Sequence, residues 1–353
     1  GKPMSSDNNR VQSPSGTPRY TASYRRNEIG LICRAAQGGD SLCLVGIAGT
    51  GKSNITNFLH SDPYAYKPQY LGKETGAIHF PVVDGNTWDG TQEGLWRQMV
   101  DALSGTIEHL DQPLPDAKIT QLTEGQRAYS DLRRWVNWLC QQQDQKVMFI
   151  LDDFDPVIRQ GPLAMLEQLN ALRSDGNRER LSYLLFTKRL PHILGRQHPL
   201  QGNSKFYDLF SHHIYALGPY DPDDEHQMLL HLNDGIGKAL RQQELATIKS
   251  LAGGHARLLK ILFDLWRTDP PTTGHPLAHF LQKSDVSEEC NRILKGLHPE
   301  EQTVLIRLAH SHERAEDEIV IDHLVRRGVL QCSDETTWFS PLFYAFVQSL
   351  PPL

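Results

Sequence analysis

The sequence predicts an α/β fold: a parallel sheet flanked by helices, followed by a helical segment and a compact mixed module. Three observations point that way. Short apolar runs suited to strands buried on both faces, at 42–45 (LCLV), 147–151 (VMFIL) and 181–186 (LSYLLF), alternate with stretches of helical periodicity. The first run leads straight into Gly46-Ile47-Ala48-Gly49-Thr50-Gly51-Lys52-Ser53, and a helix-like stretch with Ile55, Phe58 and Leu59 leaves it. From Asp221 onward helical spacing dominates until a short hairpin pattern over 329–339.

The octapeptide has the form G-x-x-x-x-G-K-S in the setting it requires, strand before and helix after. Glycines let the backbone turn tightly and expose successive N–H groups to phosphate oxygens. The helix N-terminus adds partial positive charge, Lys52 reaches the β- and γ-phosphates, and the Ser53 hydroxyl can ligate Mg²⁺. The cofactors predicted are ATP and Mg²⁺, and the core is a P-loop NTPase. Gly46 through Ser53 form the phosphate site, and Asn54 at the start of the helix is counted with them. The alternative is a chance glycine-rich turn, which the flanking strand and helix argue against.

At 353 residues the chain has room for two or three domains and a substantial core. Hydrophobic content of 39% and charged content of 22% are those of an ordinary globular protein. No apolar run approaches the roughly 18 residues needed to cross a bilayer, and no secretory signal is visible, so no membrane partner is expected. Cys33, Cys43, Cys140, Cys290 and Cys332 are scattered without a C-x-x-C pair, which suggests neither zinc nor disulfides and fits a reduced, cytoplasmic compartment.

Residues 1–19 are polar, rich in Ser, Asn and Pro, and read as a disordered lead-in. Met4 fits a native start, with Gly1-Lys2-Pro3 left over from cloning. A helix is expected from Asn27 to Gly38-Gly39, a strand over 78–83 interrupted by Pro81, and helices over 91–103 and 127–142. Between the last two, 104–124 reads as a loop. A helix at 163–172 and a short strand at 214–217 complete the core, which spans 20–219.

The strand at 147–151 ends in Asp152-Asp153, about 100 residues beyond Lys52. Functionally, Asp152 holds Mg²⁺ through water while Asp153 orients or deprotonates the attacking water. The competing reading is an acidic strand-end turn of no special role. The strand at 181–186 ends in Thr187-Lys188-Arg189, whose basic residue would point at the γ-phosphate; Arg189 is preferred to Lys188, and a solvated basic turn is the alternative.

Asp221-Pro222 reads as an N-cap with proline at the first helical position, opening a helix over 225–232. A second helix covers 242–251. Gly253-Gly254-His255 precedes a third, 256–266, with Leu258, Leu259, Leu262 and Leu265 on its apolar face. This helical lid spans 220–283. Residues 284–353 carry helices near 290–294, 299–309 and 319–327, the hairpin, and a last segment at 343–347, the pattern of a winged-helix module.

This order of motifs resembles the STAND (signal-transduction) ATPases and their AAA+ relatives, the origin-recognition-type initiators, over about residues 20–350. Tyr24-Arg25-Arg26-Asn27-Glu28-Ile29 matches the family's R-x-x-E-hydrophobic segment, which implies that Arg25 lies near the adenine. Gly46–Ser53 matches the phosphate loop, Leu151-Asp152-Asp153 the Walker B strand and Thr187-Lys188-Arg189 the sensor-1 T-x-R. Gly253-Gly254-His255-Ala256-Arg257-Leu258-Leu259 resembles both the STAND G-G-x-P-x-L-L lid motif and the initiators' sensor-2 G-x-A-R. Ala256 replaces the proline that packs on the base, whereas Arg257 fits the arginine that reaches the γ-phosphate. Asp153 in place of Glu implies slow turnover.

The resemblance implies a nucleotide switch that binds ATP or ADP, hydrolyses slowly and controls assembly as a homo-oligomer or with a protein partner. The alternative is a DNA-associated initiator or loader; a metabolic phosphotransferase lacks a visible second substrate site. Residues 284–353 hold twelve acidic and six basic residues, so this module alone equals the chain's net charge of −6. Such a module works against duplex binding, which begins with phosphate neutralisation. Arg326-Arg327 is the basic pair left to contact a phosphate stretch.

Overall fold

The computed structural model describes residues 17–61, 69–72, 76–106, 123–174, 176–195, 204–272 and 274–353. In chain order the main elements are α1 (Arg26–Gly38), β1 (Leu42–Gly46), α2 (Lys52–Ser61), β2 (Ile78–His79), β3 (Val82–Asp84), α3 (Gln92–Thr106), α4 (Glu124–Asn137) and β4 (Lys146–Asp152). They continue with α5 (Asp155–Gln160), α6 (Leu163–Ala171), β5 (Leu181–Thr187), β6 (Ile214–Leu217), α7 (Pro222–Asn233), α8 (Gln242–Ala252) and α9 (Ala256–Thr268). The last are α10 (Pro276–Leu281), α11 (Ser284–Lys295), α12 (Pro299–Ala309), α13 (Glu318–Arg326), β7 (Leu330–Cys332), β8 (Thr336–Trp338) and α14 (Pro341–Gln348). No described helix is long and apolar enough to cross a membrane.

The chain packs as two compact units, one from 27–45 and 64–215, the other from 1–26, 46–63 and 216–353. The first holds the parallel sheet, in strand order β2-β4-β5-β1-β6, with β3 also pairing with β4. β5 is flanked by β1 in the register Leu42↔Leu184 to Val45↔Thr187 and by β4 in the register Val147↔Leu181 to Leu151↔Leu185. The continuous apolar runs follow from burial on both sheet faces: every residue of β5 is buried. Alternate residues of the strands, among them Val45, Phe149, Leu151, Tyr183 and Leu185, share one core with Leu95, Trp96 and Met99 of α3, Leu132 and Val136 of α4, and Leu166 and Leu169 of α6. The strand expected over 78–83 forms as two pieces. Pro81 has no N–H to donate, but its carbonyl accepts from Ile150 N at 2.8 Å, so β2 and β3 both stay on β4.

The helix expected over 127–142 begins at Glu124, where Thr123 caps it, and its last turn over Trp138–Gln142 is π-helical. Most of the loop expected at 104–124 lies outside the described residues, as does the lead-in over 1–16. Residues 17–19, by contrast, are docked in the second unit. Thr17 donates to Asp234, Gln227 donates to the Pro18 carbonyl at 2.6 Å, and Arg19 donates to Asn54 Oδ1 at 2.6 Å. This corrects the expected disorder at 17–19: the order comes from partners up to 217 residues away in sequence, which local composition does not display.

Elsewhere in the second unit, α9 buries Leu258, Leu259, Leu262 and Phe263. The C-terminal module joins α11, α12 and α13 to the antiparallel β7–β8 hairpin and α14, around Val286, Ile293, Leu305, Leu324, Leu342 and Phe343. Ser340 Oγ donates to the Leu251 carbonyl at 2.7 Å and ties α14 to the end of α8. Arg327 corrects an expectation. It is 1% exposed and paired with Glu301 at 2.5 Å, so the chain folds it inward and only Arg326 of the pair faces solvent.

Candidate functional site: the phosphate loop and its clamp

In the second unit, the turn after β1 adopts the conformation its glycines permit. Gly49 (φ +80°) and Gly51 (φ +92°) occupy the left-handed region, and α2 starts at Lys52. A Cβ on Gly49 would lie 2.6 Å from Glu289 Oε1, and one on Gly51 would lie 2.9 Å from the Tyr220 hydroxyl, so neither tolerates a side chain. Gly46, Ile47, Ala48 and Thr50 are buried, Lys52 is half-buried and Ser53 is exposed. Thr50 Oγ1 donates to the Ile47 carbonyl at 3.2 Å, and Asn54 N to the Gly51 carbonyl at 3.0 Å.

Three successive carbonyls of this loop are held from outside. Ala48 O accepts from His255 Nε2 at 2.6 Å, Gly49 O from the backbone N–H of Arg257 at 3.1 Å, and Thr50 O from the Arg25 guanidinium at 2.6 Å. Arg25 is 2% exposed, and a second guanidinium nitrogen donates to the Gly218 carbonyl at 3.0 Å. Its backbone N donates to Asp224 Oδ2 at 3.1 Å, and its guanidinium carbon lies 4.6 Å from the Tyr220 ring centre. The resemblance implies that Arg25 lies near the adenine; the structure gives it contacts to the loop.

Asn54 is engaged as well. Its Oδ1 accepts from Arg19 at 2.6 Å and Tyr20 at 3.2 Å, and its Nδ2 donates to the Tyr220 hydroxyl at 3.0 Å. Tyr24 and Tyr220 share a hydroxyl hydrogen bond of 3.0 Å. The N-terminal segment, α2 and the segment before α7 are thus laced together through Asn54 and Tyr220.

His255 is fully buried and caps α9: its Nδ1 accepts from Leu258 N at 3.1 Å. Because Nδ1 accepts, the ring proton sits on Nε2, where it meets the Ala48 carbonyl. Burial lowers the imidazole pKa to about 4, so the ring is neutral at physiological pH. Two residues on, Arg257 is half-exposed and lies 3.8 Å from Glu289 Oε2, a carboxylate of α11 that is itself 3% exposed and also 3.6 Å from Arg292. Arg25, Gly46–Asn54 and Arg257 are therefore brought together in this unit.

In the sheet unit, β3 and β4 pair Asp84 with Asp152 at their ends. Asp153 takes a left-handed backbone (φ +45°), its N–H donates to Asp152 Oδ1 at 3.0 Å, and its Oδ2 accepts from Asn86 Nδ2 at 3.0 Å. The basic turn after β5 is held by Asp155, 8% exposed, which accepts from Lys188 N at 3.0 Å and Arg189 N at 3.2 Å. This unit thus brings together Asp152, Asp153 and Arg189. β5 lies next to β4, as the placement of the Thr187-Lys188-Arg189 turn beside the Asp152 strand requires.

Sequence reasoning missed His255, Glu289, Asp155 and Tyr220. His255 had a signal, since it occupies the N-cap position before an apolar run, and Asp155 had the acidic cluster Asp152-Asp153-Phe154-Asp155.

No protein-family model and no curated protein matches the sequence. Solved structures do. A Walker-type ATPase of Pyrococcus abyssi aligns with a TM-score of 0.57 at 14% identity, covering 93% of this chain and 98% of that one. The ORC2 protein of Aeropyrum pernix aligns at 0.49 and 13% identity, covering 92% of this chain and 94% of that one. A STAND protein with a tetratricopeptide repeat sensor from Pyrococcus horikoshii aligns at 0.38 and 15% identity, covering 94% of this chain and 44% of that one. The latter two are looser likenesses, and the comparison of folds rests on the first. With the glycine-turned phosphate loop, the parallel strand order and that alignment together, this chain has the fold of the Walker-type P-loop ATPases.

Proposed function

We propose that the chain is an ATP-binding, slowly hydrolysing nucleotide switch of the STAND/AAA+ type that controls assembly through protein partners. The observation that carries this reading is the clamp on the phosphate loop. The first turn of the lid holds the loop at Ala48 and Gly49, and Arg257 leaves the same turn. What binds at the loop and how the lid sits are therefore linked, as a switch requires.

The residues present fit the nucleotide and its metal. The loop offers backbone N–H groups and a half-buried Lys52, and the exposed Ser53 hydroxyl is a hard oxygen ligand. Mg²⁺ keeps several waters and takes few protein ligands, which suits the single Ser53 hydroxyl. When bound, the ion would neutralise charge on the phosphates. Lys52 would hold the β- and γ-phosphates, Asp153 would orient the attacking water, and Arg189 and Arg257 would meet a γ-phosphate that ADP lacks.

In this reading 220–283 is the lid and 284–353 a winged-helix module that docks on protein. Against a DNA-loading role stand that module's acidic balance and the burial of Arg327 against Glu301. Size-exclusion chromatography with ATP, ADP or no nucleotide, each with and without duplex DNA, tests the proposal. Assembly with ATP alone supports it; assembly only on DNA would turn it to the loader.

A further inference from the structure

The three held carbonyls have a geometric consequence. In a trans peptide the C=O of one residue and the N–H of the next point in opposite directions. Each carbonyl held at Ala48, Gly49 and Thr50 therefore aims the N–H of the following residue, Gly49, Thr50 and Gly51, away from the group that holds it. We propose that His255 is a positioning residue for nucleotide binding, which pre-aims the phosphate-loop N–H groups by holding the loop at its Ala48 carbonyl. This rests on the nucleotide-binding reading above and deepens it: the lid shapes the phosphate cradle before any side chain reaches the nucleotide.

The side chain suits the role. It is 0% exposed and uses both ring nitrogens, one accepting from Leu258 N at 3.1 Å and one donating to Ala48 O at 2.6 Å. A single rigid ring thus joins the helix N-terminus of α9 to the loop. The neighbouring bond from Arg257 N to Gly49 O, 3.1 Å, belongs to the same helical turn, so α9 holds two consecutive peptide planes as one body. A helix needs only a short acceptor at its N-cap, which Asp, Asn or Ser would provide. The imidazole does more than cap: its second nitrogen spans to the loop.

Two variants separate the two bonds. His255→Asn keeps a cap acceptor for Leu258 N but is too short to reach Ala48; His255→Gln keeps a donor of the right length. Each would be compared with wild type by thermal melting, by calorimetry with a non-hydrolysable ATP analogue and with ADP, and by hydrogen exchange of the loop amides without nucleotide. The expected result is that His255→Asn folds but melts below wild type, since the buried Ala48 carbonyl loses its donor, exchanges its Gly49–Gly51 amides faster and binds both nucleotides about tenfold more weakly, the worth of one well-aimed hydrogen bond. His255→Gln recovers most of the affinity even where it melts lower. Affinity that simply follows melting temperature across the variants, or a folded His255→Asn with wild-type exchange and wild-type affinity, would overturn the proposal. If His255→Asn does not fold, His255→Gln decides, since loss of affinity there with the donor retained also overturns it. Failure of wild type to bind either nucleotide would instead sink the nucleotide-binding reading, while the exchange measurement still reports on the clamp.

Discussion

The Arg25 guanidinium donates to the carbonyl oxygen of Thr50 at 2.6 Å, which fastens the segment before α1 to the middle of the phosphate loop. A buried cation is stable there because its nitrogens meet carbonyl oxygens and its face meets the Tyr220 ring. Arg25→Ala leaves the Thr50 and Gly218 carbonyls buried without that donor and opens a cavity, so it is expected to lower stability by about 3 kcal/mol. Arg25→Lys is expected to recover only part, because an ammonium lacks the planar fork that spans two carbonyls. Urea unfolding of the three proteins checks this; a change below about 0.5 kcal/mol in Arg25→Ala would contradict the clamp.

His255 makes the stability of the chain sensitive to acid. Its folded pKa is about 4 against 6.5 for an exposed imidazole, so the unfolded chain takes up the proton first as pH falls. The stability due to the neutral buried ring is complete above pH 6.5 and is lost as pH drops toward 4. Between pH 7.5 and 4.5, wild type is expected to lose about 2–3 kcal/mol more than His255→Asn, by the linkage of those two pKa values. Urea midpoints at the two pH values measure the difference, and equal losses would mean that the ring titrates normally.

Asp153 and Asp155 lie two residues apart and are expected to fail in different ways. The Asp153 carboxylate accepts from Asn86 Nδ2 at 3.0 Å, and Asp153→Asn should still bind ATP while its turnover falls about 100-fold. Asp155 holds the backbone of Lys188 and Arg189, so Asp155→Asn should cost about 1–3 kcal/mol of stability as well as slowing hydrolysis. Steady-state phosphate release and thermal melting on both variants separate the two. Unchanged turnover in Asp153→Asn would place the water-orienting group elsewhere.

Arg326 and Arg327, neighbours in sequence, are also expected to diverge. Arg327 is paired with Glu301 in the interior, and removing one partner of a buried pair strands the other. Arg327→Ala is expected to cost about 3–5 kcal/mol, whereas Arg326→Ala, with its exposed Asp322 partner 3.6 Å away, should change stability by less than about 0.5 kcal/mol. Chemical denaturation reads both. Loss of duplex binding in Arg326→Ala without loss of stability would favour the DNA-loading role.

Most of the sheet was legible in the sequence because strands buried on both faces write themselves as apolar runs, and the phosphate loop because its chemistry tolerates few residue types. The short α5 and α10 were missed, since six residues hold too little periodicity to register. The roles of Arg25, His255 and Asp155 were hidden for a different reason. Each depends on a carbonyl or N–H brought near by folding, from 25 residues away for Arg25 to 207 for His255. Backbone groups carry no residue identity that a motif could display. Arg327 was misread because its side-chain partner Glu301 is brought near only by folding, and nothing in the Arg326-Arg327 pair says which one turns inward.

The central claim is that Gly46–Ser53 binds the phosphates of a nucleotide, and calorimetry of ATP with wild type and Lys52→Ala tests it most directly. Lys52 is a half-buried point charge at the start of α2, so its loss should leave the fold largely intact while removing the cation proposed to hold the β- and γ-phosphates. The account predicts saturable ATP binding by wild type and at least about a hundredfold weaker binding by a variant that melts normally. Equal affinity in the two proteins would contradict it.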